Sequence, residues 1–255
     1  ESGGYVDYHP VASLNNTNVI EFDVPGSSDY IDLANTYLHI QAKLTNANGG
    51  ATDAAASVAP VNLMLHSLFS QVDVSLNGKT ITSSTSTYAY RAMLETLLDY
   101  GKPAKESQLT SALFYKDTAG QMESTDIGDG AVNLGLKQRA AHTTTSRVVD
   151  LMGRLHCDVF FQEKLMLSSV GMHLRLVQNK NAFVIMSGDQ NPAYVVDIVK
   201  AVLRVRKVTV SPTIALAHAK ALEYGNAKYP MQRVECKTFT VPANHLSVTQ
   251  EHVFM

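Results

Sequence analysis

Apolar and polar residues alternate with a period of two along much of the chain, the mark of strands with one face buried. Leu38, Ile40, Ala42 and Leu44 interleave with Tyr37, His39, Gln41 and Lys43. Successive strand side chains point to opposite faces, so the first set is predicted to face a core. Val72, Val74 and Leu76 interleave with Asp73, Ser75 and Asn77, and Asn77-Gly78 then offers the residues a tight hairpin needs before Lys79-Thr80-Ile81. Val19 to Val24 reads as a strand ended by Pro25-Gly26, and Met172, Leu174 and Leu176 alternate with His173 and Arg175. Val195 to Val210 holds a long strand whose phase slips: Ala201, Leu203 and Val205 share one face, while Val208 and Val210 fall in the other register. A bulge near Arg206-Lys207 accounts for that slip. A last alternation sets Val234, Cys236 and Thr238 against Arg233, Glu235 and Lys237.

Two stretches change to a helical period. From about Thr87 to Tyr100, with Ser86 or Thr87 as cap, Tyr90, Met93, Leu94, Leu97 and Leu98 form one apolar stripe, with Gly101 and Pro103 just beyond. From about Pro212 to Tyr224, Ser211 is the predicted N-cap, Ile214, His218 and Leu222 share one side, and Gly225 ends the helix. Thr45 to Ala59 and Lys116 to Ser146 read as long loops, rich in Gly, Asn, Thr and Ala. These loops are expected to reach past the ends of the strands and to contact neighbours or decorate an outer face. The helices do not recur after every strand, which argues against a parallel βαβ architecture. The predicted fold is all-β: an antiparallel two-sheet jelly-roll sandwich with two inserted helices and long loops, residues 1–255 forming one domain.

Composition adds exclusions. At 45% hydrophobic residues in 255, the chain can bury a core and is not disordered. Its formal charge of −2 argues against a surface that grips nucleic acid throughout. No apolar run approaches the roughly 20 residues that span a bilayer. The opening residues lack the basic and apolar regions of a signal peptide. The chain starts at Glu1 rather than Met, so it is read as a piece of something longer. The only cysteines, Cys157 and Cys236, lie in stretches that read as strands and are expected to be small buried hydrophobes rather than a disulfide or zinc ligands.

Candidate chemistry is sparse. His156, Cys157 and Asp158 carry the residue types of a base, a nucleophile and an orienting acid. On a strand, however, Cys157 would point away from the other two. Gly128-Asp129-Gly130 lacks the third glycine of a phosphate loop, with Asn133 in its place, and Asp126 with Asp129 falls short of a calcium loop. The nine histidines, His9, His39, His66, His142, His156, His173, His218, His245 and His252, include no i, i+4 metal pair and are expected to be structural. Glu95 and Asp99 share the solvated side of the first helix. Arg204, Arg206 and Lys207 form the densest basic run, either a charged exposed face or edge that discourages aggregation or a contact with a neighbouring subunit or packaged nucleic acid. Asn15-Asn16-Thr17 is a formal sequon without a secretory context. No catalytic, cofactor or metal site is predicted, and the chain is not expected to be an enzyme.

Five blocks, in order, carry a family resemblance: Asp29 to Leu38 (DYIDLANTYL), Val61 to Val74, Tyr88 to Leu98 (YAYRAMLETLL), Leu155 to Phe160, and Tyr229 to Val234. Together they resemble the hexon-like major capsid proteins of Polinton/Maverick elements and adintoviruses, within the double jelly-roll lineage of DNA viruses. The resemblance implies a virion coat protein of two tandem rolls, assembled inside the host cell, that trimerises and tiles an icosahedral shell beside other subunits such as a penton protein. It implies no cofactor and at most a non-specific contact with packaged DNA. The chain stops near Val253 to Met255, about where a first roll would give way to a second, so it is read as the N-terminal roll. A single-roll minor (vertex) capsid protein is the alternative. A carbohydrate- or receptor-binding β-sandwich is more remote, because the chain has no tryptophan and only 7% aromatic residues.

Overall fold

The computed structural model describes residues 2–15, 17–189 and 193–241, together with Ala243, Asn244, Ser247 and Thr249. Asn16 of the sequon, His245, His252 and the closing Val253 to Met255 lie outside the described residues.

Two four-stranded antiparallel sheets face each other. One runs β1 (Ser2–Tyr8), β10 (Tyr194–Thr209), β3 (Tyr30–Asn46), β7 (Val149–Gly153); the other runs β2 (Val19–Val24), β8 (Met172–Gln178), β5 (Phe69–Leu76), β6 (Lys79–Thr80). A small pair, β4 (Val58–Pro60) with β9 (Ile185–Ser187), lies beside them. Apart from the β5–β6 hairpin, the chain crosses between sheets as it goes from β2 to β3, β3 to β5, β6 to β7, β7 to β8 and β8 to β10. This wrapping is the jelly roll predicted from the alternation.

The predicted inward set is the core. Leu38, Ile40, Ala42 and Leu44 of β3 are fully buried against Phe22, Phe69, Val74, Leu174 and Leu176 of the other sheet. Burying each such leucine or phenylalanine contributes roughly 1.5–3 kcal/mol. At the β5–β6 hairpin, Asn77 and Gly78 both adopt positive φ (46° and 77°), the geometry that matches strand twist in a two-residue turn.

The phase slip in β10 falls one residue earlier than predicted, at Val205, between the pairs Arg204–Tyr37 and Arg206–Asp32. The excess residues belong to β3: Leu33 to Thr36 form a small loop inside the strand. Asp32 holds it by accepting from the Asn35 backbone and side-chain amides, and Thr36 Oγ1 donates to the Asp32 carbonyl. A second irregularity, at Val199, has no counterpart in the alternation.

The helices are α1 (Met64–Ser67), α2 (Tyr88–Asp99), α3 (Lys102–Lys105), α4 (Leu134–Thr143), α5 (Asn181–Val184) and α6 (Pro212–Tyr224). Both predicted helices are present as α2 and α6, and none is long and apolar enough to cross a membrane among the described residues. Most of the predicted stripe of α2 is on the wrong side; of its five residues only Met93 packs against the core. Tyr88, Ala89, Ala92 and Thr96 are buried, while Tyr90, Leu94, Leu97 and Leu98 are exposed. Small Ala89 and Ala92 let the helix lie close on the core, and the bulkier leucines cannot take that place. No residue of α6 is buried.

The predicted loop Lys116 to Ser146 contains a ten-residue helix, α4. Asn133 caps it by accepting from the Leu136 amide, and Leu136, Arg139, Ala140 and Thr143 form its inner face. Arg139 is fully buried and donates to the carbonyls of Pro60 and Tyr115 and to Asp117. A Cβ on Gly135 would stand 2.5 Å from the Lys116 carbonyl oxygen, so only glycine allows this close approach. The loop Thr45 to Ala59 interlocks with this segment: Thr52 and Ser146 exchange backbone–side-chain hydrogen bonds, and Ser57 Oγ donates to the Thr125 carbonyl.

The predicted strand at 233–238 joins no sheet. Its backbone is held by side chains instead, as described below. Cys157 and Cys236 both lie outside strands; Cys157 is buried and Cys236 half-buried, and both are free thiols.

Leu174→Ala is expected to destabilise the protein by about 2–5 kcal/mol, since the sheet-to-sheet contact cannot collapse to fill the void. Urea unfolding followed by far-ultraviolet circular dichroism measures it; a loss under about 1 kcal/mol would contradict the assignment of this residue to the shared core.

Candidate functional site: a buried polar relay beneath an open groove

The inner face of α2 places Tyr88, Arg91, Ala92, Glu95 and Thr96 at i, i+3, i+4, i+7 and i+8, so polar groups enter the interior beside apolar ones. Opposite them, the segment after β7 does not continue as the predicted strand. His156 and Cys157 are extended coil, and Asp158 begins a 3-10 turn, Asp158–Phe161. Asp158 thereby swings toward α2.

A continuous polar chain results. His66 Nδ1 of α1 lies 2.9 Å from the Tyr88 hydroxyl, which also accepts from the His156 amide at 3.3 Å. The His156 ring meets the His66 ring edge-on, with centroids 4.6 Å apart, and its Nδ1 lies 2.7 Å from Glu95 Oε2. Arg91 donates to Glu95 Oε1 at 2.8 Å and, through its other arm, to Asp158. Glu95 is therefore a half-buried, paired carboxylate, not the solvated one expected from its spacing with Asp99, which is exposed. The expectation failed because the spacing fixes a helix face and leaves open which face the core takes.

The chemistry of these groups follows from their burial. Desolvation, helped by the neighbouring His156, holds the His66 imidazole well below its usual range and keeps it neutral. Burial pushes the Tyr88 hydroxyl well up. Burial alone would raise the Glu95 carboxyl, but hydrogen bonds from His156 and Arg91 outweigh it and leave the group below its ordinary value. Cys157 is pushed up to about 12 by burial, so its thiol is a poor nucleophile.

The relay fastens the segment from Lys228 to Lys237 across the roll. Arg91 donates to the Val234 carbonyl, the Val234 amide donates to Asp158, and Thr87 Oγ1 donates to the Cys236 carbonyl. Gln162 donates to the Pro230 carbonyl, and the Tyr229 hydroxyl donates to the Leu165 carbonyl while accepting from the Leu167 amide. These side chains occupy the backbone groups that a sheet neighbour would use, which is why the strand-like pattern at 233–238 yields a strap. Between strap and α2 lies a groove of about 690 Å³, lined by Leu94, Leu98, Phe161, Met231 and Val234, with Asp99, Glu235 and Lys237 at its rim.

Other sequence candidates fall elsewhere. Arg204 pairs with Asp7 at 2.9 Å, Arg206 faces Asp32 at 3.7 Å, and Lys207 donates to Ser27 Oγ. Of the face-or-edge expectation for this run, the edge is corrected, because β10 lies inside its sheet and β1 forms the edge; the three side chains stand part-exposed on the sheet's faces. Asp126 accepts from the Gly128 amide, and Lys137 faces Asp129 at 3.7 Å. Among the described residues, no three His, Cys, Asp or Glu side chains are grouped to hold a metal. His39, His142 and His218 meet Asp150, Tyr115 and Tyr30, respectively, within hydrogen-bond distance.

No known protein-family model matches the chain. An uncharacterized protein of Caenorhabditis elegans is 26% identical in an alignment of 239 positions that covers 89% of this chain and 54% of that protein. Among solved structures, the Faustovirus major capsid protein superposes with a TM-score of 0.52 at 9% identity, covering 87% of this chain and 56% of its own. A chain from the cryo-EM structure of the Sputnik virophage gives 0.53 at 12% identity, covering 83% and 48%. The chain thus spans about half the length of each of these three proteins. The likeness establishes the fold, an antiparallel jelly roll.

Two outcomes test the relay. Unfolding exposes His66, which then takes a proton below about pH 6.5, whereas the folded ring resists it. Stability is therefore complete above that pH and is lost as pH falls; Glu95, held below its ordinary value, adds a further loss at lower pH. His66→Phe is expected to flatten the dependence between about pH 7 and 5, read as urea midpoints across that range. Native protein is expected to give one reactive thiol, Cys236, to a disulfide reagent, and both only when unfolded; rapid labelling of Cys157 in the native state would refute its enclosure.

Proposed function

We propose that this chain is one jelly roll, the first of two, of a hexon-like major capsid subunit that forms trimers and tiles an icosahedral shell. The observation that carries the reading is the pair of four-stranded sheets with sheet-to-sheet crossings, which superposes on the Faustovirus major capsid protein over 87% of this chain. The five ordered sequence blocks support the narrower assignment to the Polinton/Maverick and adintovirus lineage, and a similar protein in a nematode fits an element carried in animal genomes. A partner of similar length completing the subunit fits the half-length matches to all three proteins.

The physics suits such a role. A shell subunit needs a stiff body and broad side surfaces, since its assembly free energy comes from buried contacts between copies. The dry two-sheet core supplies stiffness, and the interlocked loops and two helices supply surface. The polar relay serves this reading as a fastener for the strap, with no catalytic step. Arg204 and Arg206 are engaged by carboxylates, so contact with packaged DNA in this reading is non-specific and rests on other exposed cations.

Purified full-length product is expected to sediment as a trimer and, at higher concentration, to give particles with hexagonally outlined capsomers in electron micrographs. A product that stays monomeric and forms no particle at any concentration would defeat the proposal.

A further inference from the structure

The strap that the relay fastens is also what keeps the relay dry. A cavity of about 30 Å³, room for roughly one water molecule, has Tyr88, Arg91, His156 and Cys157 in its lining together with Val234 and Cys236 of the strap. Lifting the strap removes that wall and lets solvent reach His156 and, behind it, His66. The strap is lightly held. From 231 to 241 every residue is exposed except Cys236, which is half-buried, and none joins a sheet. Its hold on the roll is a few side-chain hydrogen bonds, those of Arg91, Asp158 and Thr87 together with one from Arg233 to the Ile81 carbonyl. Segments with few buried contacts open at far lower cost than a core. The start of the strap is firmer, because Tyr229 packs on the core and Gln162 holds the Pro230 carbonyl.

At the inner end of the relay, His66 and His156 are 3% and 4% exposed and their rings meet edge-on. A proton on His66 would put a charge there with only the Tyr88 hydroxyl in hydrogen-bond reach among the described residues. The nearby carboxylates are engaged, Glu95 by His156 and Arg91, and Asp158 by Arg91. Cys157 is held as a neutral thiol by burial. The other elements packed against α1 offer no free counter-charge. The strand β5 brings Asp73, which Arg175 pairs at 3.2 Å, and β7 brings Asp150, which faces His39 in solvent. The helix α5 and the turn at 108–112 carry no titratable residue. We propose that the relay is an acid-opened latch: a proton on His66 is accommodated only when residues 231–241 lift from α2, swinging about Tyr229 and Pro230, while the two sheets stay packed. Burial and the His156 ring keep His66 neutral in the closed form; hydrated in the open form, it titrates near its ordinary value of about 6.5. The closed form is therefore fully favoured above that pH and loses about tenfold for each pH unit below it, one proton being taken up per opening. The latch stands on the relay alone and is independent of the capsid reading.

Two probes read the opening on the 255-residue chain, with far-ultraviolet circular dichroism following the sheets. Hydrogen exchange of peptides spanning 231–241, corrected for the intrinsic pH dependence of exchange, is expected to lose about thirtyfold of its protection between pH 7.5 and 5, while peptides from β3 and β10 keep theirs. The thiol reagent 4,4′-dithiodipyridine, which reacts in acid as well as at neutrality, is expected to label Cys236 alone at pH 7.5 and Cys157 as well at pH 5, each assigned by peptide mass spectrometry. His66→Phe removes the proton's site, and both pH dependences vanish. Asp158→Ala removes the acceptor of the Val234 amide, so Cys157 is labelled already at pH 7.5 with the sheets intact; this variant tests the lid even if His66→Phe does not fold. Strap protection indifferent to pH, labelling of Cys157 that appears only as the far-ultraviolet signal is lost, or a pH dependence that survives in His66→Phe would overturn the proposal. So would an Asp158→Ala chain that keeps Cys157 closed at pH 7.5, since the strap would then not be the lid.

Discussion

The roll depends on keeping water out from between two sheets. Leu38, Ile40, Ala42 and Leu44 on one strand, β3, supply the centre of that dry layer, and β3 is hydrogen-bonded on both sides, to β10 and β7. Because side chains alternate with a period of two, a one-residue slip anywhere along β3 would turn this set outward and polar groups inward. The bulge at Val199 and the one opposite Val205 show how the constraint is met over a 17-residue strand. The ladder breaks twice so that the apolar set stays inside as the sheet twists.

The charged and aromatic polar groups around α2 enter this interior as a connected set. His66, Tyr88, His156, Glu95, Arg91 and Asp158 each find a partner, and the far end of the chain of contacts emerges at the backbone of the strap. A buried pair stripped of one member is costly, whereas a complete network fixes one arrangement. The relay joins α1, α2, the turn after β7 and the strap. The same logic holds at Arg139, which ties the predicted loop region to β4 through the Pro60 carbonyl.

Much of the sheet architecture was legible in the sequence because strand periodicity and burial are one signal. The inward residues of β3, β5 and β8, the Asn77-Gly78 hairpin and the spans of α2 and α6 follow from local pattern and capping chemistry. The candidate site was not legible in this way. His156 and Asp158 stood out as residue types, yet their assignment to a strand face hid Asp158's swing toward Arg91. Glu95 looked solvated because the leucines of α2 looked like the core face. The helix α4 had its signal in Asn133 and the Leu136–Arg139–Ala140–Thr143 spacing, but the glycines and the threonine run around it made the whole stretch read as a loop.

The sequence by itself determined the fold class, since period-two alternation needs two packed sheets to bury one face of each strand, and local turn and cap residues set the element ends. Tertiary structure alone decided which face of α2 is buried, whether the alternating segment at 233–238 becomes a strand or a strap, and which polar residues meet inside. Those outcomes depend on what lies opposite each element, and that is set by contacts between residues far apart in the chain: Arg91 claims the Val234 carbonyl and Asp158 the Val234 amide before any sheet edge can.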